Sequence, residues 1–183
     1  YLRENEDIDA IRVLKKRDIE INLFQKEVRR KVVTHYAVSQ NVEDLPNGLV
    51  LLNMVVDVER VGDYTKNILD LALNYPDTMI AEQFSDELAE VENEVVSRFS
   101  KTIDAINSQD EEVARALMST YKDVVAVSDK IVNGCISGEI IQGSESKSVT
   151  LALYARYLKR IAAHLKNIST IPVSYTHLTL PTN

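Results

Sequence analysis

The feature that most constrains this chain is how rarely its helical pattern is interrupted. Only five glycines and four prolines occur in 183 residues, and two of the prolines, Pro172 and Pro181, lie in the last dozen. Glycine and proline are the residues that cost a helix interior most. Between the few breakers, apolar residues recur near the 3.6-residue period, as at Ile8, Ile11, Leu14, Ile21, Val28 and Val32. The spacing predicts five helical segments: about Asp7 to Ser39, Pro46 to Tyr75, Ala81 to Ile106, Asp110 to Gly138 and Ser148 to Thr170. Asp110 is a natural N-cap, and Asn74-Tyr75-Pro76-Asp77 is a stop signal. Long helices joined by short links bury their apolar stripes by forming antiparallel bundles.

An internal repeat sharpens this expectation. Glu59-Arg60-Val61-Gly62-Asp63-Tyr64-Thr65-Lys66-Asn67-Ile68 lies over Lys159-Arg160-Ile161-Ala162-Ala163-His164-Leu165-Lys166-Asn167-Ile168 at a constant offset of 100 residues. Arg, Lys, Asn and Ile recur at four of the ten positions, Val pairs with Ile, and Gly with Ala. Asp18 to Asn22 lies more weakly over Asp129 to Asn133, at an offset of 111. The chain therefore reads as all-α, two pseudo-symmetric units: residues 1–77 with two helices, and residues 78–172 with three. A helix matching the third is expected before Tyr1. Residues 173–183, Val173-Ser174-Tyr175-Thr176-His177 onward, resemble translated adapter sequence and are expected to be non-native, so His177 carries no weight.

Composition narrows the function classes. The net charge is −7, with 28 acids against 21 bases, and Arg29-Arg30-Lys31 is the densest basic cluster. Nucleic-acid binding, which draws on a basic stripe to neutralise phosphates, is not expected. No apolar run reaches the roughly 20 residues that span a bilayer, so no direct membrane insertion is expected. A single cysteine, Cys135, and no signal peptide suit a reducing, cytoplasmic setting. No nucleophile–base constellation, phosphate-cradling glycine loop or HExxH motif is present, so the expectation is a non-enzyme. A di-metal carboxylate enzyme in a bundle needs Glu-x-x-His pairs. Val32 and Ile161 stand three residues before His35 and His164, which removes that reading.

The candidate chemistry is a set of oxygen donors. Glu59 and Asp63, four residues apart, share one side of a helix, beside an apolar stripe of Leu51, Met54, Val58, Val61, Thr65, Ile68 and Ala72. Asp18 and Asn22 repeat the spacing on the preceding helix. Facing one another, the four suit a hard cation, or iron or manganese in a carboxylate bundle. The plainer reading is a solvated acid pair balanced by Arg60 and Lys66.

The stretch Asp57-Val58-Glu59-Arg60-Val61-Gly62-Asp63-Tyr64-Thr65-Lys66-Asn67-Ile68 resembles the signature of PhoU proteins, accessory regulators of bacterial phosphate uptake. Ala155 to Ile168 resembles a degenerate second copy, and the likeness spans about Asp7 to Ile171. The resemblance implies a pair of three-helix bundles and a regulator that damps the phosphate-starvation response. It implies as partners the ATPase of the phosphate ABC transporter and a sensor histidine kinase, with a homo-oligomer as a further expectation. It also implies acid-x-x-x-Asp motifs that hold iron, zinc or other di- or trivalent metal, here Asp18, Asn22, Glu59 and Asp63. In the second unit Asp129 and Asn133 persist, while Lys159 and Ala163 replace the acids. A protonated lysine cannot ligate a metal and alanine has no ligand atom. That site is expected to be vacated, with Lys159 pairing to Asp129. The alternative implied is a PhoU-like cytoplasmic domain of a sodium–phosphate cotransporter-like membrane protein.

Overall fold

A computed structural model describes residues 7–75, 84–108, 110–139 and 145–171. Six α-helices follow one another: α1 (Ile8–Lys16), α2 (Asp18–Ser39), α3 (Leu45–Asn74), α4 (Ser85–Ser108), α5 (Glu111–Ser137) and α6 (Glu145–Ser169). A 3-10 turn, Val42–Asp44, links α2 to α3, and no strand occurs among the described residues. The expected adapter-like tail lies outside them. The all-helical architecture matches the sequence reading, with one difference. The first predicted segment is broken at Arg17, whose N–H bonds Leu14 O at 3.0 Å. Glu20 N then bonds Arg17 O at 2.9 Å, so the turn tightens to i→i+3 spacing.

The helix ends follow their local chemistry. The side chains of Asp7 and Asp110 accept from the first free N–H groups of α1 and α5. Pro46 sits in the first turn of α3, where no N–H is needed. Gly138 ends α5 at φ 75°, a left-handed conformation that glycine adopts without strain.

Helix α6 is the centre of the molecule, packing against α3, α4 and α5. Ten of its residues are buried, among them Leu151, Ala155, Leu158, Ile161, Ala162 and Leu165. Their core extends through Leu88, Val91 and Val95 of α4, Val124 and Ile131 of α5, and Val61 of α3. On its other side α3 receives α1 and α2. Helix α3 is thus clamped from two directions, and its buried positions are Gly48, Val55, Val61 and Gly62 rather than one stripe. Leu51 and Thr65, placed in the predicted stripe, stay exposed.

Candidate functional site

The two signature segments lie on α3 and α6, the helices that join the two halves. Within α3 the motif residues divide by role. Val61 and Gly62 face inward, and a Cβ at 62 would sit 2.8 Å from Ile21 Cδ1 of α2, so a larger residue there obliges the Ile21 side chain to shift. Arg60 is exposed, and Glu59 and Asp63 are half-buried beside it. Arg60 Nη1 donates to Asp63 Oδ2 at 2.9 Å, and its Nε lies 3.7 Å from Glu59 Oε2.

Asp18 meets α3 at another cation. Lys66 Nζ donates to Asp18 Oδ2 at 3.2 Å, and the Asn22 amide donates to the same oxygen at 3.1 Å. One turn earlier Lys15 pairs with Asp70. The break at Arg17 therefore presents Lys15 and Asp18 to Asp70 and Lys66 as two rungs of opposite polarity. Asp18 holds the Lys66 ammonium above its ordinary pKa, by the hydrogen bond first and by charge second.

The expected ligands Asp18, Asn22, Glu59 and Asp63 are all half-buried on adjacent helices. Their donor chemistry suits a metal, but their arrangement does not. Among the described residues no three Asp, Glu, His or Cys side chains come together to hold an ion. Lys66 and Asn22 occupy Asp18, and Arg60 lies between Glu59 and Asp63. In the second half Lys159 Nζ donates to both carboxylate oxygens of Asp129, at 2.6 and 2.7 Å, the pair expected from the sequence. Asn133 is exposed and Ala163 half-buried, on α5 and α6 respectively. The residues present do not fit a preassembled metal centre in either half.

Sequence reasoning missed the polar junction between the signature helices. His164 Nδ1 lies 2.7 Å from Asp57 Oδ1, and Asn167 donates to the same oxygen at 3.1 Å. The His164 ring stacks on Tyr64, centroids 5.7 Å apart, and Tyr64 also meets Tyr157 at 6.0 Å. Only the position of Asp57 at the head of the quoted motif could have hinted at it. A second omission is Arg98, only 1% exposed. It donates to Leu117 O at 2.8 Å and Thr120 Oγ1 at 2.6 Å on α5, and lies 3.0 Å from Glu94. Its place in the α4 apolar stripe between Val95 and Thr102 was the available signal.

An apolar cleft of about 460 Å³ opens where α1, α2, α3, α4 and α6 meet. Leu14, Ile21, Met54, Val58, Phe99 and Ile103 line it, with Lys66 and Asp18 at its edge. Exposed apolar side chains are frequent on this half: Leu14, Ile19, Leu23, Phe24, Leu49 and Leu51 are each at least 40% exposed.

A helical scaffold, with paired signature helices at its centre and apolar surface on its flank, defines a protein of the all-helical bundle class. The PhoU domain family model matches residues 2–72 and 88–171, and the chain belongs to that family. It is 26% identical over 168 residues to the phosphate-specific transport system accessory protein PhoU homolog of Clostridium acetobutylicum, covering 90% of this chain and 76% of that one. Its fold is similar to the crystal structure of PhoU from Pseudomonas aeruginosa, with TM-score 0.83, 18% identity, and 93% of this chain and 83% of that chain covered. It is likewise similar to the phosphate transport system regulatory protein PhoU from Streptococcus pneumoniae, with TM-score 0.81, 18% identity, and coverage of 97% and 84%. No described helix is long and apolar enough to cross a membrane.

Proposed function

We propose that this chain is an accessory regulator of phosphate uptake and phosphate-starvation signalling, acting by docking rather than by catalysis. Its partners on this reading are the ATPase of the phosphate ABC transporter and the sensor histidine kinase that reports phosphate supply, both met at the cytoplasmic side of the membrane. The observation that carries the reading is the family match across both signature helices, residues 2–72 and 88–171. The naming of the Clostridium acetobutylicum relative as a transport system accessory protein supports it. The exposed apolar side chains of α2 and α3 support it in a second way. Surface of that kind, flanked by charge, suits protein contacts.

The test is complementation. Expressed in a bacterium lacking its own PhoU, the chain is expected to restore repression of a phosphate-starvation reporter in rich phosphate. It is also expected to co-purify with the transporter ATPase. A Leu23→Glu plus Leu51→Glu variant, altered at exposed positions, should lose co-purification while keeping its helical circular dichroism. A chain that folds yet leaves the reporter induced and binds neither partner would remove the proposal.

A further inference from the structure

We infer that lysines of the two signature helices, Lys66 and Lys159, supply from within the chain the positive charge that a bound cation would supply between such carboxylate-bearing helices. The inference is independent of the docking partners proposed above. It starts from a correspondence: Asp18 and Asp129 occupy equivalent places in the sequence repeat, on the helix that precedes each signature helix. Each is held by a lysine of the helix that follows. Lys66 of α3 reaches Asp18 at 3.2 Å, and Lys159 of α6 reaches both oxygens of Asp129 at 2.6 and 2.7 Å.

The two lysines are not copies of one another. Lys159 stands at the repeat position of Glu59, whereas Lys66 stands two turns further on. The repeat counterpart of Lys66 is Lys166, which lies over the Tyr121 ring at 5.3 Å instead. The same helix–helix tie is thus made from different positions of the signature. A shared ancestral contact does not account for that, whereas a common electrostatic need does. A charge shielded between helices requires an opposite partner: the Asp18 side chain is 15% exposed, and in the second pair the shielded member is Lys159, 26% exposed against 47% for Asp129. In the first half the supply is complete: Lys15 answers Asp70, Lys66 answers Asp18, and Arg60 answers Glu59 and Asp63. A metal arriving there would have to displace an ammonium group from Asp18 and a guanidinium from between the other two acids. In the second half it would meet one carboxylate already chelated by Lys159.

The consequence is a helical pair whose packing does not depend on divalent metal, with a latent metal site two substitutions away in the second half. The experiment uses the full chain and follows thermal unfolding and elemental content. After dialysis against EDTA, the wild-type midpoint should be unchanged on adding Mn2+ or Zn2+, and metal content should fall below a tenth of an equivalent. The Lys159→Glu plus Ala163→Asp variant restores acids opposite Asp129. It should unfold at lower temperature without metal and recover on adding Mn2+ or Zn2+, with saturable binding. The single variant Lys159→Gln, which keeps the shape and removes the charge, should lower the midpoint by about 2–4 °C for each kcal/mol lost in a chain this size. A wild-type protein that retains a stoichiometric metal whose removal lowers its midpoint would overturn the inference. So would a Lys159→Gln variant as stable as wild type, or a folded double variant that gains no metal response.

Discussion

At the scale of single residues, Gly62 shows how a signature position is set by packing. The 2.8 Å approach of Ile21 Cδ1 to a Cβ at position 62 means that alanine is admitted only if the end of the Ile21 side chain turns away. Gly62→Ala is therefore expected to destabilise the protein by about 1 kcal/mol or less in urea unfolding, the low end for overpacking, because the helix itself favours alanine over glycine. Ile21→Val should recover much of the loss. The second half carries that pair of changes already: Ala162 stands at the glycine position in the core, and Val132, at the isoleucine position, packs against it. If Ile21→Val leaves the Gly62→Ala loss untouched, steric contact with α2 is not the reason for the glycine. Arg98 gives a second residue-scale test. Burial lowers its pKa, and Glu94 opposes that shift most. Removing Glu94 leaves the buried guanidinium with only neutral hydrogen-bond acceptors, Leu117 O and Thr120 Oγ1, so Glu94→Ala should cost more stability than Arg98→Met, which removes the charge and keeps the bulk. Equal losses in the two variants would contradict this. For Lys66 the sign of the pH effect follows from its partner. Asp18 raises its pKa above the ordinary 10.5, so the tie is fully present below that value and is lost as pH rises through the higher folded value. Unfolding midpoints between pH 9 and 11.5 should fall more steeply for wild type than for Lys66→Met.

At the scale of elements, a few polar and aromatic side chains add to the apolar packing that joins α3 and α6. Asp57 accepts from Asn167 and faces His164 at 2.7 Å, with both side chains of the Asp57–His164 pair about four-fifths shielded. Asp57→Ala would leave the imidazole and the amide short of their acceptor. The expected loss is about 1–3 kcal/mol, the desolvation cost of buried polar groups left unsatisfied. Hydrogen exchange should quicken in the middle of α3 and the C-terminal end of α6, which carry the junction, with α5 unaffected. Uniform acceleration through all helices would mean the junction is not a local tie. The break between α1 and α2 belongs to the same scale. A continuous helix from Asp7 to Ser39 was the natural expectation from the period. The interruption at Arg17 is flanked by the two rungs that Lys15 and Asp18 make with α3, to partners 55 and 48 residues away in the chain.

At the scale of the whole molecule, burial is uneven. Helix α6 touches three neighbours and has ten buried residues, whereas α1 buries only Ile11 and α2 only Val32. Amide exchange should accordingly be slowest in α6 and fastest in α1, because local opening energies follow buried contacts. Slower exchange in α2 than in α6 would contradict this. The apolar side chains left outward on α2 and α3 are the counterpart of that imbalance.

What the sequence determined by itself is local and periodic. Scarce breakers and a 3.6-residue apolar pattern dictated helices, and Asp110, Pro46 and Gly138 marked their ends. The repeated signature pointed to the family, and the Lys159–Asp129 pair followed from complementary charges at equivalent repeat positions. What only the tertiary structure decided is which side chains, far apart in the chain, share a space. The Asp57–His164 contact, the burial of Arg98, and the capture of Asp18 by Lys66 rather than by a cluster of acids each depend on how helices are rotated and spaced. Helical periodicity assigns a residue to a face, but the neighbour that fills the space opposite is chosen by the packing of the other helices.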